Sequence, residues 1–143
     1  MKTAFASDAR FMDHDTGVGH PERPARLSHT LAHLKSKPWF PSLHMMSGVE
    51  CNRDQISSMH DEGLIDRAQT SCAQGLSYLD SPDVVISPDS FDIARLAVGT
   101  VLSLSDAIVS GQVNNGFALI RPPGHHAEQN EALGFCLFNN IAI

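Results

Sequence analysis

Apolar residues recur along the chain at spacings that predict its helices. The clearest helix runs from Phe91 to Ser110, where apolar side chains cover most of the circumference. Such a helix is buried on more than one side. A second helix is predicted from Pro24 to Ser36, because three leucines repeat there with the period of one helical face, namely Leu27, Leu31 and Leu34.

The middle of the chain predicts two shorter helices. Asn52 and Gln55 have the spacing of a capping box, which favours a short helix ending at Met59. Asp61 is placed to cap the next helix, which is expected to close at Gly75. The inner stripe of that helix is predicted to be Leu64, Ile65, Ala68 and Cys72.

Short apolar runs predict the strands. Lys2 to Ser7 is expected to form a first strand, Met45 to Val49 a strand or loop edge, and Phe117 to Ile120 a buried strand. Ser77 to Ser90 is rich in Ser, Pro and Asp and is predicted to be a loop. Its mostly solvated carboxylates are weak candidates for an acidic substrate rim: Asp80, Asp83 and Asp89. Strands that alternate with helices indicate an α/β fold with a parallel sheet.

The size and charge of the chain narrow the function classes. Its 143 residues correspond to about one domain, and 42% hydrophobic residues suffice for a packed core. The net charge of −6 argues against nucleic-acid binding, which needs a basic surface, but is compatible with a cationic substrate. No apolar run reaches the roughly 20 residues of a membrane span, and the first residues do not resemble a secretory signal. Three cysteines with no CxxC pair favour a reduced, cytoplasmic setting.

Two adjacent histidines, His125 and His126, follow the last predicted strand through Arg121-Pro-Pro-Gly124. The prolines and the glycine end both helix and strand pairing, and open α/β sheets build their sites at the carboxyl ends of strands. Neighbours in an extended loop point to opposite sides. The pair is therefore expected to serve two separate proton-handling or hydrogen-bonding roles rather than to chelate one metal. The alternative is a surface loop that happens to hold two histidines.

The histidine pair belongs to a longer motif. Arg121-Pro-Pro-Gly-His-His-Ala127 and Gly134-Phe-Cys-Leu-Phe-Asn-Asn140 resemble the signature of the zinc-dependent histone deacetylase superfamily. That superfamily includes histone deacetylases, acetylpolyamine amidohydrolases and acetoin-utilization proteins. His20-Pro-Glu-Arg-Pro-Ala-Arg-Leu27 is similar to a second family block, in the form typical of class II-like members. The resemblance covers about Thr3 to Ile143 and implies a three-layer, parallel-sheet fold of the arginase/deacetylase type.

The resemblance also implies an activity and roles for particular residues. The reaction would be hydrolysis of an acetylated amine, chiefly acetyl-lysine, with zinc as the cofactor. His125 and His126 match the family's general acid–base pair. Arg26 matches an arginine that lines an internal channel for acetate, and a guanidinium suits that role because it binds a carboxylate bidentately. The implied substrate-binding residues are His20, Pro21, Gly134, Phe135 and Cys136, with Phe135 as the aromatic wall of the acyl channel.

Other parts of the family site are expected outside this chain. The resemblance implies zinc ligands in an Asp-x-His and a later aspartate, and an oxyanion-stabilising tyrosine, all downstream of Ile143; Tyr78, the only tyrosine here, is in the wrong place. Residues 1–143 are therefore expected to be the N-terminal part of a single deacetylase domain, inactive by itself. The alternative is a truncated, non-catalytic module that binds acylated ligands or protein partners. Acetylated lysine peptides, proteins and polyamines all remain open as substrates.

Overall fold

The computed structural model of the protein describes residues 1–143 and contains four α-helices, five strands and two short 3₁₀ helices, Ala9–Met12 and Phe40–Ser42. The helices are α1 (Pro24–Lys35), α2 (Arg53–Ser57), α3 (Glu62–Ala73) and α4 (Ser90–Val109). The strands are β1 (Thr3–Ala6), β2 (His44–Met46), β3 (Tyr78–Leu79), β4 (Ser81–Val85) and β5 (Asn115–Ala118). All four predicted helices are confirmed, with small shifts at their ends.

β1 is the central strand of a parallel sheet with the order β2-β1-β5. Side chains alternate between the two faces of a strand. Ala4 and Ala6 pack in a cluster with Leu104 of α4. Phe5 faces the other way, where its ring stacks on Phe117 with centroids 6.2 Å apart and lines a cleft shared with residues of α1. Helices therefore lie on both faces of the sheet, which confirms the predicted three-layer α/β architecture.

α4 is the most deeply buried helix, as its nearly continuous apolar surface predicts. Ala94 and Val98 belong to the largest core cluster, which also takes side chains from α2 and α3. Gly99 lies against the chain that follows β2, where an added Cβ would overlap the backbone between Val49 and Cys51. A glycine is needed for this close approach. No helix of the structure has both the length and the apolar content to span a membrane.

The start of α2 and the inner face of α3 follow the sequence prediction. Asn52 accepts a hydrogen bond from the Gln55 N–H at 2.9 Å, and the Gln55 side chain accepts one from the Asn52 N–H, also at 2.9 Å. The predicted stripe of α3 is fully buried, comprising Leu64, Ile65, Ala68 and Cys72. Asp61 occupies the N-cap position, but its side chain does not cap the helix. It accepts a hydrogen bond from Gln129 Nε2 at 2.9 Å instead.

Two predicted segments differ in the structure. The expected loop from Ser77 to Ser90 contains a short antiparallel hairpin, β3 paired with β4, in which only Leu79 and Val84 point into the core. The strand expected from Phe117 to Ile120 begins and ends two residues earlier, at Asn115–Ala118, and its Phe117 side chain is 56% exposed rather than buried. β5 is an edge strand of this sheet and pairs with β1 on one side only, and none of its four residues is buried.

Candidate active site

The site is built where the chain leaves β5. Pro122 and Gly124 are held from behind by Asn140, whose Nδ2 donates to the Pro122 carbonyl oxygen at 3.1 Å. An added Cβ at Gly124 would overlap the Asn140 backbone nitrogen, so only glycine fits there. The Ala127 N–H then donates to the Gly124 carbonyl at 3.2 Å and closes a turn. This turn carries both histidines.

His125 and His126 lie side by side rather than on opposite sides of the chain. Their ring centroids are 4.3 Å apart with planes tilted by 52°, and both residues are exposed. The expectation of opposite directions is wrong because it assumed an extended backbone, whereas the chain turns here. Both rings line one cavity of about 370 Å³, together with Pro21, Glu22, Arg26, Pro123, Gly134 and Phe135.

Phe135 forms a wall of this cavity. Its backbone has a φ of +69°, which is unusual for a residue other than glycine. Its ring makes an edge-to-face contact with His20, with centroids 4.8 Å apart. Residues expected to bind substrate thus converge here from both ends of the sequence, since His20 and Pro21 precede α1 and Phe135 follows the histidine pair.

Gly134 and Cys136 flank the aromatic wall. Gly134 has a φ of +56°, and an added Cβ would lie 2.6 Å from Cδ2 of His126, so this glycine lets the histidine ring occupy its place. Cys136 is fully buried behind the cavity, and its thiol donates to the Gly134 carbonyl at 3.2 Å. Burial raises the pKa of the Cys136 thiol, so this residue packs as a small apolar group.

A buried ion pair lies beneath the cavity, and the sequence patterns did not indicate it. Arg121 is 0% exposed and Glu22 is 3% exposed. The guanidinium donates to both carboxylate oxygens, from Nε at 2.7 Å and from Nη2 at 2.9 Å, and to the Phe11 carbonyl from Nη1 at 3.0 Å. Burial alone would raise the pKa of Glu22, but the hydrogen bonds and charge of Arg121 lower it below its ordinary value. The Glu22 carboxyl is therefore ionised at neutral pH.

Arg26, the expected channel arginine, shares the same carboxylate. Its Nη1 donates to Glu22 Oε1 at 2.8 Å, one helical turn away, and its side chain is 54% exposed. The structure thus places Arg26 on the cavity wall with its guanidinium held by Glu22. Its role toward acetate stays a prediction.

His14 completes the buried polar cluster. It is 1% exposed, its Nδ1 lies 2.7 Å from Ser90 Oγ, and its Nε2 lies 3.8 Å from Glu22 Oε2. Burial, with the nearby charge of Arg121, lowers the pKa of His14 from 6.5 to about 4. The imidazole is therefore neutral at pH 7. Nothing in the spacing of Asp13-His14-Asp15 signals this position.

The loop after the histidine pair, residues 128–134, is tied to α3 and to the hairpin. Asp80 accepts two hydrogen bonds from Arg67, at 2.9 and 3.0 Å, and one from the Ala132 N–H at 2.9 Å. Arg67 Nη2 also donates to the Asn130 carbonyl at 2.8 Å. The Gly134 N–H donates to Asp83 at 3.2 Å. Because Asp80 accepts these hydrogen bonds, it fixes the loop. The prediction that it contributes a free carboxylate to an acidic substrate rim is therefore wrong.

His60, which lies between α2 and α3, is hydrogen-bonded to both ends of the segment 128–139. Its Nδ1 lies 2.8 Å from the Glu128 carbonyl, and its Nε2 accepts the Asn139 N–H at 2.9 Å. These partners require a neutral ring with the proton on Nδ1, and burial lowers the pKa of His60 accordingly. His60 therefore acts in this structure as a support for residues 128–139.

The residues of this chain do not by themselves fit a zinc ion. They include no group of three or more His, Cys, Asp or Glu side chains placed to hold a metal. The two cavity histidines provide proton-transfer groups, and the only carboxylate beside them, Glu22, is committed to Arg121. Tyr78 lies in the hairpin, 53% exposed, and does not line the cavity.

The fold and the paired histidines define a class, an α/β protein with deacetylase architecture. The crystal structure of the HDA15 HD domain matches this chain with a TM-score of 0.91 and 36% sequence identity, over 99% of this chain and 41% of that one. The family model described as histone deacetylase domain matches residues 20–143. The chain belongs to the histone deacetylase family.

Curated relatives agree with this assignment. The chain is 40% identical over 143 residues to the uncharacterized protein slr0245 of Synechocystis, covering 98% of this chain and 46% of that protein. It is 38% identical to polyamine deacetylase HDAC10 of Rattus norvegicus, covering 85% and 22%. It is 37% identical to histone deacetylase 15 of Arabidopsis thaliana, covering 99% and 26%. The chain spans less than half the length of each of these relatives.

Proposed function

We propose that this chain forms the histidine-pair side of the active site of an amide hydrolase that removes acetyl groups from acetylated amines. The observation that carries the proposal is the convergence of His125, His126 and Phe135 on one cavity. Family membership supports the reaction class, and two relatives are named as deacetylases, one of polyamines and one of histones.

In this reaction the histidines move protons. Water adds to the acetyl carbonyl carbon, the C–N bond breaks, and the products are acetate and a free amine. One imidazole accepts a proton from the attacking water, and a proton is delivered to the leaving amine. The other, 4.3 Å away between ring centroids, stabilises the charge that develops. Histidine suits both tasks because its ordinary pKa lies near neutrality.

The remaining residues bind and orient the substrate. The ring of Phe135, which contacts His20, packs against the methylene chain of an acetylated lysine or polyamine, and Pro21 lines the same cavity. Arg26 lines the same cavity, and its guanidinium binds the carboxylate of the acetate product. The zinc ion that membership of this family implies would supply Lewis-acid chemistry; its ligands would come from residues other than these 143, because no group here fits it.

The three cysteines support a reducing, cytoplasmic setting as part of this proposal. All three are free and buried, and burial raises the pKa of each thiol. They serve as packing residues, and none of them needs an oxidised partner.

The test is acetate release by the whole gene product that contains this chain, from an acetyl-lysine peptide and from an acetylated polyamine in parallel. We expect turnover of at least one of the two substrates. Binding of both substrates without acetate release would support the non-catalytic alternative. If the gene product neither binds the substrates nor releases acetate, both the hydrolase proposal and the non-catalytic alternative are refuted.

A further inference from the structure

α1 carries a second pair of histidines whose spacing differs from that of the cavity pair. His29 and His33 are four residues apart and lie within Pro24–Lys35, the bounds of the helix. Four residues advance a helix by about 6 Å and slightly more than one turn, so both rings project from the same face. This is the spacing at which two imidazoles on a helix share one metal ion.

This face points to solvent. With about 100° per residue, Leu27, Leu31 and Leu34 form the inward stripe, in which Leu27 is buried and the other two are half-buried. His29 and His33 lie roughly 200° and 240° from Leu27. Both histidines are exposed, and neither ring has a hydrogen-bond or ion-pair partner in the chain. Their nitrogen lone pairs are therefore free for a ligand.

The charges around the pair permit a cation. Arg26 precedes His29 by three residues and His33 by seven, and its guanidinium is already paired with Glu22 at 2.8 Å. His33 lies in the last turn of the helix. The helix dipole is negative at that end and favours positive charge.

We propose that His29 and His33 form a surface binding site for a divalent transition metal of the Cu²⁺ and Ni²⁺ class. Imidazole nitrogen is a preferred ligand for these ions, and Cu²⁺ binds most strongly in the divalent series. Two protein ligands leave the other coordination positions to water. The site is separate from the cavity histidines and does not depend on the proposed hydrolase activity.

The experiment is a titration of the tag-free chain with Cu²⁺ at pH 7.5, where histidine is largely neutral and able to ligate. Calorimetry gives the stoichiometry and affinity. The broadening of histidine ring signals by substoichiometric Cu²⁺ identifies the residues that bind. We expect one strong site, with the signals of His29 and His33 broadened first.

Matched variants separate this site from other histidines. His29→Asn and His33→Asn should each weaken Cu²⁺ binding at least tenfold, whereas His44→Asn, which removes a single exposed histidine on β2, should leave it unchanged. The double substitution His33→Ala with Lys35→His keeps the histidine count and moves the second ring about 120° away from the first. It should weaken binding as much as His33→Asn.

Three results would overturn the proposal. These are no binding by the chain at millimolar Cu²⁺, full affinity in the His33→Ala/Lys35→His variant, or first broadening at His125 and His126. The last result would assign the metal to the cavity pair. Circular dichroism of each variant establishes that α1 is intact, which is expected because both positions are exposed.

Discussion

Glu22→Gln is expected to destabilise the chain strongly. It removes the only carboxylate that contacts Arg121 and keeps the size of the side chain. Arg121 is fully buried and would retain only the Phe11 carbonyl and part of the amide as partners. An uncompensated buried charge results. Breaking a buried pair in this way costs about 3–5 kcal/mol.

Urea unfolding of the chain, followed by circular dichroism, measures this loss. The matched control is Glu62→Gln, which also removes a partner of an arginine, Arg53, but at a site where both side chains are exposed. The control should change stability little, because solvated ion pairs contribute little. A loss of less than about 1 kcal/mol for Glu22→Gln, indistinguishable from the control, would refute the assignment of a buried, structurally essential pair.

Three further perturbations test the surroundings of the cavity. His14 has a pKa of about 4 in the folded chain, below its ordinary 6.5, so the unfolded chain gains its proton first. Stability should therefore fall from pH 6.5 to 4, by up to about 3 kcal/mol, and His14→Asn should remove this part of the decline. Gly134→Ala should destabilise the chain by more than about 1 kcal/mol and displace the ring of His126. Asp80→Ala should leave the Ala132 N–H without a partner and speed its hydrogen exchange at least tenfold, about 1.4 kcal/mol.

Each of these has its own control. His14→Asn and the parent chain share all other titrating groups, so equal declines between pH 6.5 and 4 would contradict the role of His14. Gly17→Ala imposes a similar positive φ, +78°, with nothing within 4 Å of the added Cβ; if it costs as much as Gly134→Ala, the contact with the histidine ring is unimportant. Asp89→Ala removes an exposed carboxylate, and its exchange rates should match those of the parent.

The helices and the three-layer order could be predicted because each rests on a local pattern. The continuous apolar surface of α4 and the capping box of Asn52 and Gln55 are visible within a few residues of sequence. The hairpin of β3 and β4 could not be predicted in the same way, since it buries only Leu79 and Val84 in a stretch of polar residues. The exposure of Phe117 depends on which neighbours flank β5, and an apolar run does not specify its neighbours.

In the candidate site, too, the residues that are close in the sequence could be predicted, whereas contacts between distant residues could not. His125, His126, Gly134 and Phe135 lie close together in the sequence, and the family motif indicated that they would act together. The pairing of Glu22 with Arg121 joins residues that are 99 positions apart in the sequence. No periodicity or spacing encodes such a contact. The support that Asp80 gives to residues 128–134, the loop after the histidine pair, was missed for the same reason.

The most direct test of the account is the turnover number of the whole gene product with His125→Ala and with His126→Ala, measured on the substrate that the parent cleaves. Loss of a general acid or base typically lowers the rate by about 10²–10⁴-fold. We expect a loss of that size in kcat for at least one variant, with unchanged circular dichroism and little change in KM. Full activity in both folded variants would contradict it, because the paired histidines would then have no part in the chemistry.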